Sequence, residues 1–299
     1  MKKVAEVAAE RLHTCPSCEL QGVNTGAWAA ISPWILNLGV TSQRFSNLYH
    51  CTNCDTSWFD LRYSKDGMAS LYSQYRGARY VQVRNHWEPW YNIDYNSAHD
   101  DENVLQSRIS VTREFLSQFL SIPTLKILDI GGDTGKITAS LGASEVEVIE
   151  LSDRAATALG PKMSQLPQLA FMAHVMEHLS HPIRETRDIL KDNKCVGLYL
   201  EVPFGKPAIT GCRKSSIVKL AVSFAQRVPF IWGAFAKPGA GRLRPPAVLR
   251  QSEHLTFFSE ASIQALATSL GLRAHSRTAT ITAPDGSTSK VIQALLFSN

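Results

Sequence analysis

The stretch LDIGGDTG, Leu128 to Gly135, constrains the fold more than any other part of the chain. Three glycines fall within five positions directly after a short apolar run. A turn this bare, following a strand, lets the backbone approach a bound group closely, and each ligand class asks for its own spacing. The dinucleotide fingerprint needs glycines at the first, third and sixth positions of a six-residue turn, which Gly131, Gly132 and Gly135 cannot supply. A phosphate-binding P-loop ends in Gly-Lys-Ser/Thr, and Gly135-Lys136-Ile137 lacks the hydroxyl. What fits is acidic-x-Gly-x-x-x-Gly, with Asp129, Gly131 and Gly135 in register.

The rhythm around this loop is strand, loop, helix, repeated. Strands are expected at Lys126 to Ile130, Glu145 to Ile149, Leu169 to Met172 and Val196 to Val202. Helices are expected at Gly135 to Leu141, Ser152 to Leu159 and Pro182 to Leu190, after a first amphipathic helix from Val104 to Leu120. Such alternation predicts an α/β fold with a parallel sheet covered on both faces. A later helix, Glu260 to Leu270, precedes strands near Ala274 to Ala283 and Lys290 to Phe297, and the turn Asp285 to Ser287 joins them as a hairpin. A length of 299 residues with 44% apolar side chains suffices for one large domain plus a small module. The boundaries read as 1–100 for an aromatic-rich N-terminal module and 101–299 for the α/β domain, joined by the polar linker Asn96 to Asn103, with an insertion at 205–252.

The N-terminal module carries Cys15-Pro-Ser-Cys18 and Cys51-Thr-Asn-Cys54. Two such turns aim four thiolates at one point, the donor set of a closed structural zinc site in a zinc-ribbon-like module. Glu19 and Asp55 follow the pairs, where glycine often stands. His13 and His50 read as solvated neighbours rather than ligands, and Cys195 and Cys212 as packing residues. Zinc modules often grip nucleic acid, but the span from Cys15 to Cys54 holds a single cation, Arg44, so nucleic acid is disfavoured as a partner. The N-terminus lacks the apolar core of a secretion signal and no run reaches membrane-span length, so a cytoplasmic protein is expected.

Taken in order, five blocks resemble the class I S-adenosylmethionine (SAM)-dependent methyltransferases. They are the glycine loop, the acidic strand end VEVIE closing on Glu150, AHVMEHLSHP (Ala173 to Pro182), LYLEVP (Leu198 to Pro203) and SEHLTFFSEASIQALATSLGL (Ser252 to Leu272). The resemblance implies a Rossmann-like methyltransferase sheet and SAM as cofactor. It assigns Asp129, Gly131, Gly132, Asp133, Gly135 and His174 to the cofactor, and Glu150 with Leu151 to its ribose. Asp133 stands where the family has a glycine, and it either helps hold the cofactor's ammonium or caps the next helix. Only 18 residues, Leu151 to Gln168, separate Glu150 from the next strand. A helix, a third strand and another helix need about 30, so the third strand, with its adenine-contacting acid, is expected to be lost.

A four-cysteine module joined to such a domain resembles the sugar C-methyltransferases acting on nucleotide-linked deoxysugars. Carried over, the acceptor site is His178, Glu253 and His254, with His254 as the base. The family's tyrosine before the Glu-His pair is absent, Gln251 and Ser252 standing there. His181 reads as structural. Tyr72, Tyr75 and Tyr80 either cover the active site or pack between domains. The insertion at 205–252 holds nine Lys and Arg and no acid, interleaved with the apolar stretch SSIVKLAVSFAQRVPFIWGAF. Three readings stay open: a lid over a nucleotide-linked substrate, a peripheral contact with the inner membrane face that would suit a lipid-linked glycan, or a solubilising surface. The function expected is methyl transfer to a sugar, glycan precursor or other small molecule. The rivals are a non-catalytic binding protein on a degenerate fold and, weaker, a nucleic-acid methyltransferase.

Overall fold

The computed structural model describes residues 10–73, 75–97, 101–149, 167–207, 215–236, 242–243, 248–283 and 286–298. Glu150, Leu151, the expected helix Ser152 to Leu159, Cys212 and Asp285 lie outside them.

The larger sheet has six strands in the order Arg273–Thr282, Thr288–Phe297, Gly197–Pro203, Gln168–Ala173, Lys126–Ile130 and Glu145–Ile149. Thr288–Phe297 runs antiparallel to both its neighbours, and the other neighbouring pairs are parallel. This is the Rossmann-like α/β sheet that the strand-helix rhythm predicts. Glu145–Ile149 is its edge among the described residues, where a third strand would have added.

The alternation of the strands divides the core. Leu169, Phe171 and Tyr199 turn to one face and meet Ile109, Phe115 and Leu116 of the helix Glu102–Ser117. Ala170, Met172, Leu198 and Leu200 turn to the other, against Ile183, Ile263 and Leu266. A period of two on the strand and of 3.6 on the helices is all that this requires. The helix ends follow local chemistry: Pro182 opens Pro182–Asp192 at its first turn, and Ser259 with Ser262 forms a capping box for Glu260–Ser269. The expected linker Asn96 to Asn103 is partly helical instead, because Asp101 accepts from the backbone N–H groups of Asn103 and Val104 and starts the long helix there.

The second sheet also has six strands, ordered Arg242–Leu243, Val248–Gln251, Val23–Ile31, Phe45–His50, Ser57–Phe59 and Thr256–Phe257. It is built from both ends of the chain. Leu249, Arg250 and Gln251 pair in parallel with Ala29, Ala30 and Ile31, and Thr256 pairs with Trp58. The late part of the inserted segment therefore completes the sheet begun in the N-terminal module. Two short helices, Ser216–Ala225 and Pro229–Phe235, bridge the gap. Gln226 donates from its side chain to the carbonyls of Ile31 and Arg44, which pins the turn between them.

The two sheets meet through polar side chains as well as apolar ones. Arg62 is fully buried and donates to Thr256 Oγ1 at 3.0 Å. Ser180 donates to the Tyr63 carbonyl and Tyr63 to the Ser252 carbonyl, at 2.7 and 2.5 Å. The Leu255 N–H donates to the Glu177 carbonyl at 2.8 Å. These bonds fix Glu253 and His254 above the ends of the parallel strands.

Candidate functional site

The glycine loop leaves the strand Lys126–Ile130 and turns on three left-handed residues: Gly131 at φ 68°, Asp133 at 53° and Gly135 at 67°. A Cβ at Gly131 would stand 2.8 Å from Val175 and one at Gly135 2.8 Å from Val148. At Gly132 it would stand 2.2 Å from the Asp129 carboxylate. The spacing thus serves close approach of the loop backbone to neighbouring side chains. Asp129, 2% exposed, accepts from Thr138 Oγ1 at 2.6 Å and anchors the loop from beneath. The next helix, Lys136–Ala139, has Gly135 at its N-cap, two positions after Asp133.

The ends of the neighbouring strands bring the second group of residues to this loop, which touches them through Val175. His174, at φ 59°, donates its N–H to the Glu201 carbonyl. Its ring lies between two buried carboxylates, Nδ1 3.4 Å from Glu177 and Nε2 3.4 Å from Glu201. Burial works against its charged form, but the two carboxylates outweigh it and raise the His174 pKa. Glu201 also receives Arg108 at 2.6 Å. Burial would push the Glu201 carboxyl up, and Arg108 and His174 hold it well below the usual range.

Glu177, His178 and His254 form the centre of the site, with one ligand atom from each lying within 4.8 Å of the others. His178 directs Nδ1 at the Glu253 carbonyl at 3.1 Å; a carbonyl only accepts, so that nitrogen carries the proton. Its ring meets His254 edge-on, centroids 4.8 Å apart. Both Glu177 oxygens are buried without a hydrogen-bond donor among the described residues. Burial would raise this carboxyl, yet the His174, His178 and His254 rings together hold it down to about 2. For His254, burial and then His178 disfavour the charged form, and although Glu177 and Glu253 oppose them the pKa falls to about 4. No described side chain hydrogen-bonds the His254 ring, so a neutral imidazole is available to a ligand at pH 7.

Glu253 is held from the N-terminal side. Tyr80 donates its hydroxyl to Oε1, and Arg84 lies 3.3 Å from the same oxygen. Burial raises the Glu253 carboxyl, but Arg84, His178 and Tyr80 bring it below the usual range. Tyr72 packs edge-on to His178, and Tyr75 lies between Tyr72 and Tyr80. The three tyrosines thus pack against one another in the joint, with Tyr72 alone of them against a histidine ring. At the position of the missing tyrosine, Gln251 is buried and donates to the Leu61 carbonyl, and Ser252 accepts from Tyr63. His181 stands apart, paired with Glu10 at 3.0 Å.

The four cysteines converge as their spacing predicts. Cys15 and Cys54 stand 3.4 Å apart, Cys18 and Cys51 3.5 Å, and all four Sγ atoms lie within 4.8 Å of one another. Tetrahedral zinc with bonds of about 2.3 Å asks for sulfur separations of ~3.8 Å. Each pair sits in the same knuckle: Glu19 N–H donates to the Cys15 carbonyl and Asp55 N–H to that of Cys51, both at 2.9 Å. Glu19 and Asp55 take left-handed φ of 59° and 65°, the conformation for which glycine is favoured at this place. Three of the thiols are at most 3% exposed, so the donor set fits a closed structural metal without an open position. His13 stacks on Tyr49 and His50 contacts Ser57, outside the cluster.

Sequence reasoning singled out neither Glu177 nor Arg84, Arg108, Glu201 and Tyr63. Glu177 lies in AHVMEHLSHP between His174 and His178, a position that itself marks it as facing the same site. The arginines carry no local signal, since each reaches the site from a helix placed by tertiary packing.

No known family profile matches the chain, and no curated protein matches it. Among solved structures it is similar to the 1,6-didemethyltoxoflavin-N1-methyltransferase of Burkholderia thailandensis, at 12% identity over 69% of this chain and 85% of that one, TM-score 0.38. It is similar to the magnesium protoporphyrin IX methyltransferase of Synechocystis PCC 6803, at 16% identity over 69% and 86%, TM-score 0.35. A third is the plantazolicin methyltransferase in complex with S-adenosylhomocysteine, at 12% identity over 72% and 93%, TM-score 0.40. Scores this low leave function to be argued from the chain's own residues.

Proposed function

We propose that this chain is a SAM-dependent methyltransferase that modifies a sugar, glycan precursor or other small molecule, with His254 as the base and a structural zinc in the four-cysteine cluster. The observation that carries the reading is the junction of the glycine loop with the histidine cluster. Gly131 packs on Val175, the neighbour of His174, so the glycine loop adjoins the strand end that leads through Glu177 and His178 to His254. Ligands of open α/β sheets bind in the crevice at the carboxyl ends of the strands.

SAM supplies an electrophilic methyl on sulfur, which leaves as the thioether. The protein's part is to hold the acceptor and to take its proton as the new bond to carbon forms. His254 receives that proton on a ring nitrogen. Glu177, ionised beneath it, favours the imidazolium that results, and His178 fixes the orientation through Glu253. Tyr80 and Arg84 hold the Glu253 carboxylate charged at the acceptor side.

Calorimetry with SAM on folded, zinc-loaded protein tests the reading. Binding is expected, with His254→Ala abolishing methyl transfer while leaving SAM affinity within about twofold. No heat of binding would overturn it. Binding without transfer to any of a panel of sugar nucleotides and small alcohols would favour a non-catalytic binding protein.

A further inference from the structure

Glu177, His178 and His254 offer two imidazoles and one carboxylate, a donor set that first-row divalent metal ions take from proteins. The three come from two elements. Glu177 and His178 stand on the single turn Met176–His178, and His254 lies between the strands Val248–Gln251 and Thr256–Phe257 of the second sheet. Two hydrogen bonds hold these elements against each other: Leu255 N–H donates to the Glu177 carbonyl, and His178 Nδ1 donates to the Glu253 carbonyl.

The three side chains do not satisfy one another. With its proton on Nδ1, the neutral His178 ring has its lone pair on Nε2, and that nitrogen lies 3.8 Å from Glu177 Oε1. Two acceptors therefore face each other. Glu177 is 1% exposed, yet neither of its oxygens receives a hydrogen bond from a described residue. The His174 ring lies 3.4 Å from Oε1, but it is shared with Glu201, which stands 3.4 Å from its other nitrogen. Buried acceptors without a donor are costly, and a cation where their lone pairs meet removes that cost.

We propose that Glu177, His178 and His254 bind a divalent transition-metal ion of the zinc or iron(II) class. Resting on the methyltransferase reading above, the bound ion holds the enzyme inactive, because it takes the His254 lone pair that would receive the acceptor's proton. A histidine whose second ring nitrogen donates to a carbonyl, as His178 does, is the arrangement in which proteins present imidazole to a metal. Zinc bonds of about 2.0–2.1 Å ask for donor separations of ~3.4 Å, which small side-chain rotations reach from the 3.8 Å observed. Magnesium and calcium prefer oxygen donors, so two imidazoles select against them. The four cysteines are a separate set of thiolates alone, and the two sites are distinguishable by spectrum.

The test is titration of the intact chain, zinc-loaded at its cysteines and without SAM, with cobalt(II), read by visible absorption. One equivalent is expected to bind with a spectrum free of thiolate charge-transfer bands, and to raise Tm. Glu177→Gln and His254→Ala should each weaken cobalt binding at least about 100-fold, while keeping their cysteine-bound zinc and circular dichroism spectrum. His181→Ala, outside the cluster, should bind as wild type does. No bound equivalent, or unaltered affinity in either cluster variant, overturns the proposal. Excess zinc should suppress methyl transfer, and a weak chelator that spares the cysteine site should restore it; transfer that rises with zinc overturns the inhibitory role. Cobalt binding and SAM binding fail separately. Cobalt affinity without SAM affinity would sink the methyltransferase reading and leave the metal site standing, and methyl transfer without cobalt affinity would do the reverse.

Discussion

Glu177→Gln is the substitution that most directly tests how the histidine site works. The carboxylate is 1% exposed, with Oε1 3.8 Å from His178 Nε2 and its ligand atom within 4.8 Å of that of His254. A proton reaching His254 makes a cation opposite this fixed anion. Two unit charges at that spacing attract by roughly 3.5 kcal/mol at an effective dielectric of about 20. Gln keeps the shape and part of the dipole, so a loss of about 2–3 kcal/mol of transition-state stabilisation is expected, or ~30- to 200-fold in rate. The assay is single-turnover transfer of labelled methyl from saturating SAM to an accepted substrate, followed from pH 3.5 upward. Wild type should lose rate on acidification with a limb near pH 4, where His254 gains its proton. The Glu177 charge raises the His254 pKa, so its removal must move that limb to lower pH while the plateau falls. SAM affinity should not change. An unaltered plateau with an unaltered limb would refute the assignment of Glu177 as the counter-charge.

Four further substitutions test other parts. Gly132→Ala places a methyl 2.2 Å from the Asp129 carboxylate; SAM affinity by calorimetry should fall about 100-fold, with a stability loss of ~1–3 kcal/mol in urea. Arg108→Met strands the buried Glu201 carboxylate beside His174, and urea unfolding should show a loss of about 3 kcal/mol. Cys51→Ser should remove the zinc measured by atomic emission and lower Tm, whereas Cys195→Ser should change neither, since Cys195 lies outside the cluster.

The larger sheet was legible in the sequence nearly residue by residue. Its strands are apolar runs bounded by glycine, proline or charge, and Lys126–Ile130 and Glu145–Ile149 end where the sequence puts them. The cysteine knuckles were legible for a similar reason, because each is a local turn. The second sheet was not. Pairing of Leu249 with Ala29 joins residues far apart in the chain, and neither strand carries a local mark of its partner. The same holds for the site. His178, Glu253 and His254 stand together as the resembling blocks imply, whereas Arg84 and Arg108 come from helices whose amphipathic pattern says which face is buried but not against what. The long helix starts two residues before its apolar pattern does, at Glu102, because Asp101 caps it within a polar run.

The strand Val23–Ile31 has a further consequence for how the molecule is made. Its parallel neighbour, Val248–Gln251, emerges from the ribosome more than 200 residues later. Until then the N-terminal segment, cysteines included, carries an open edge of unpaired backbone groups, the kind of edge that pairs with other chains. A fragment ending near residue 100 would keep that edge permanently, and residues 101–299 alone would leave Val248–Gln251 paired only with the two-residue strand Arg242–Leu243. Non-local pairing of this kind is slow to form. The end of the proposed site that carries Glu253 and His254 is therefore the last part to be assembled, and its completion reports that the first and last thirds of the chain have found each other.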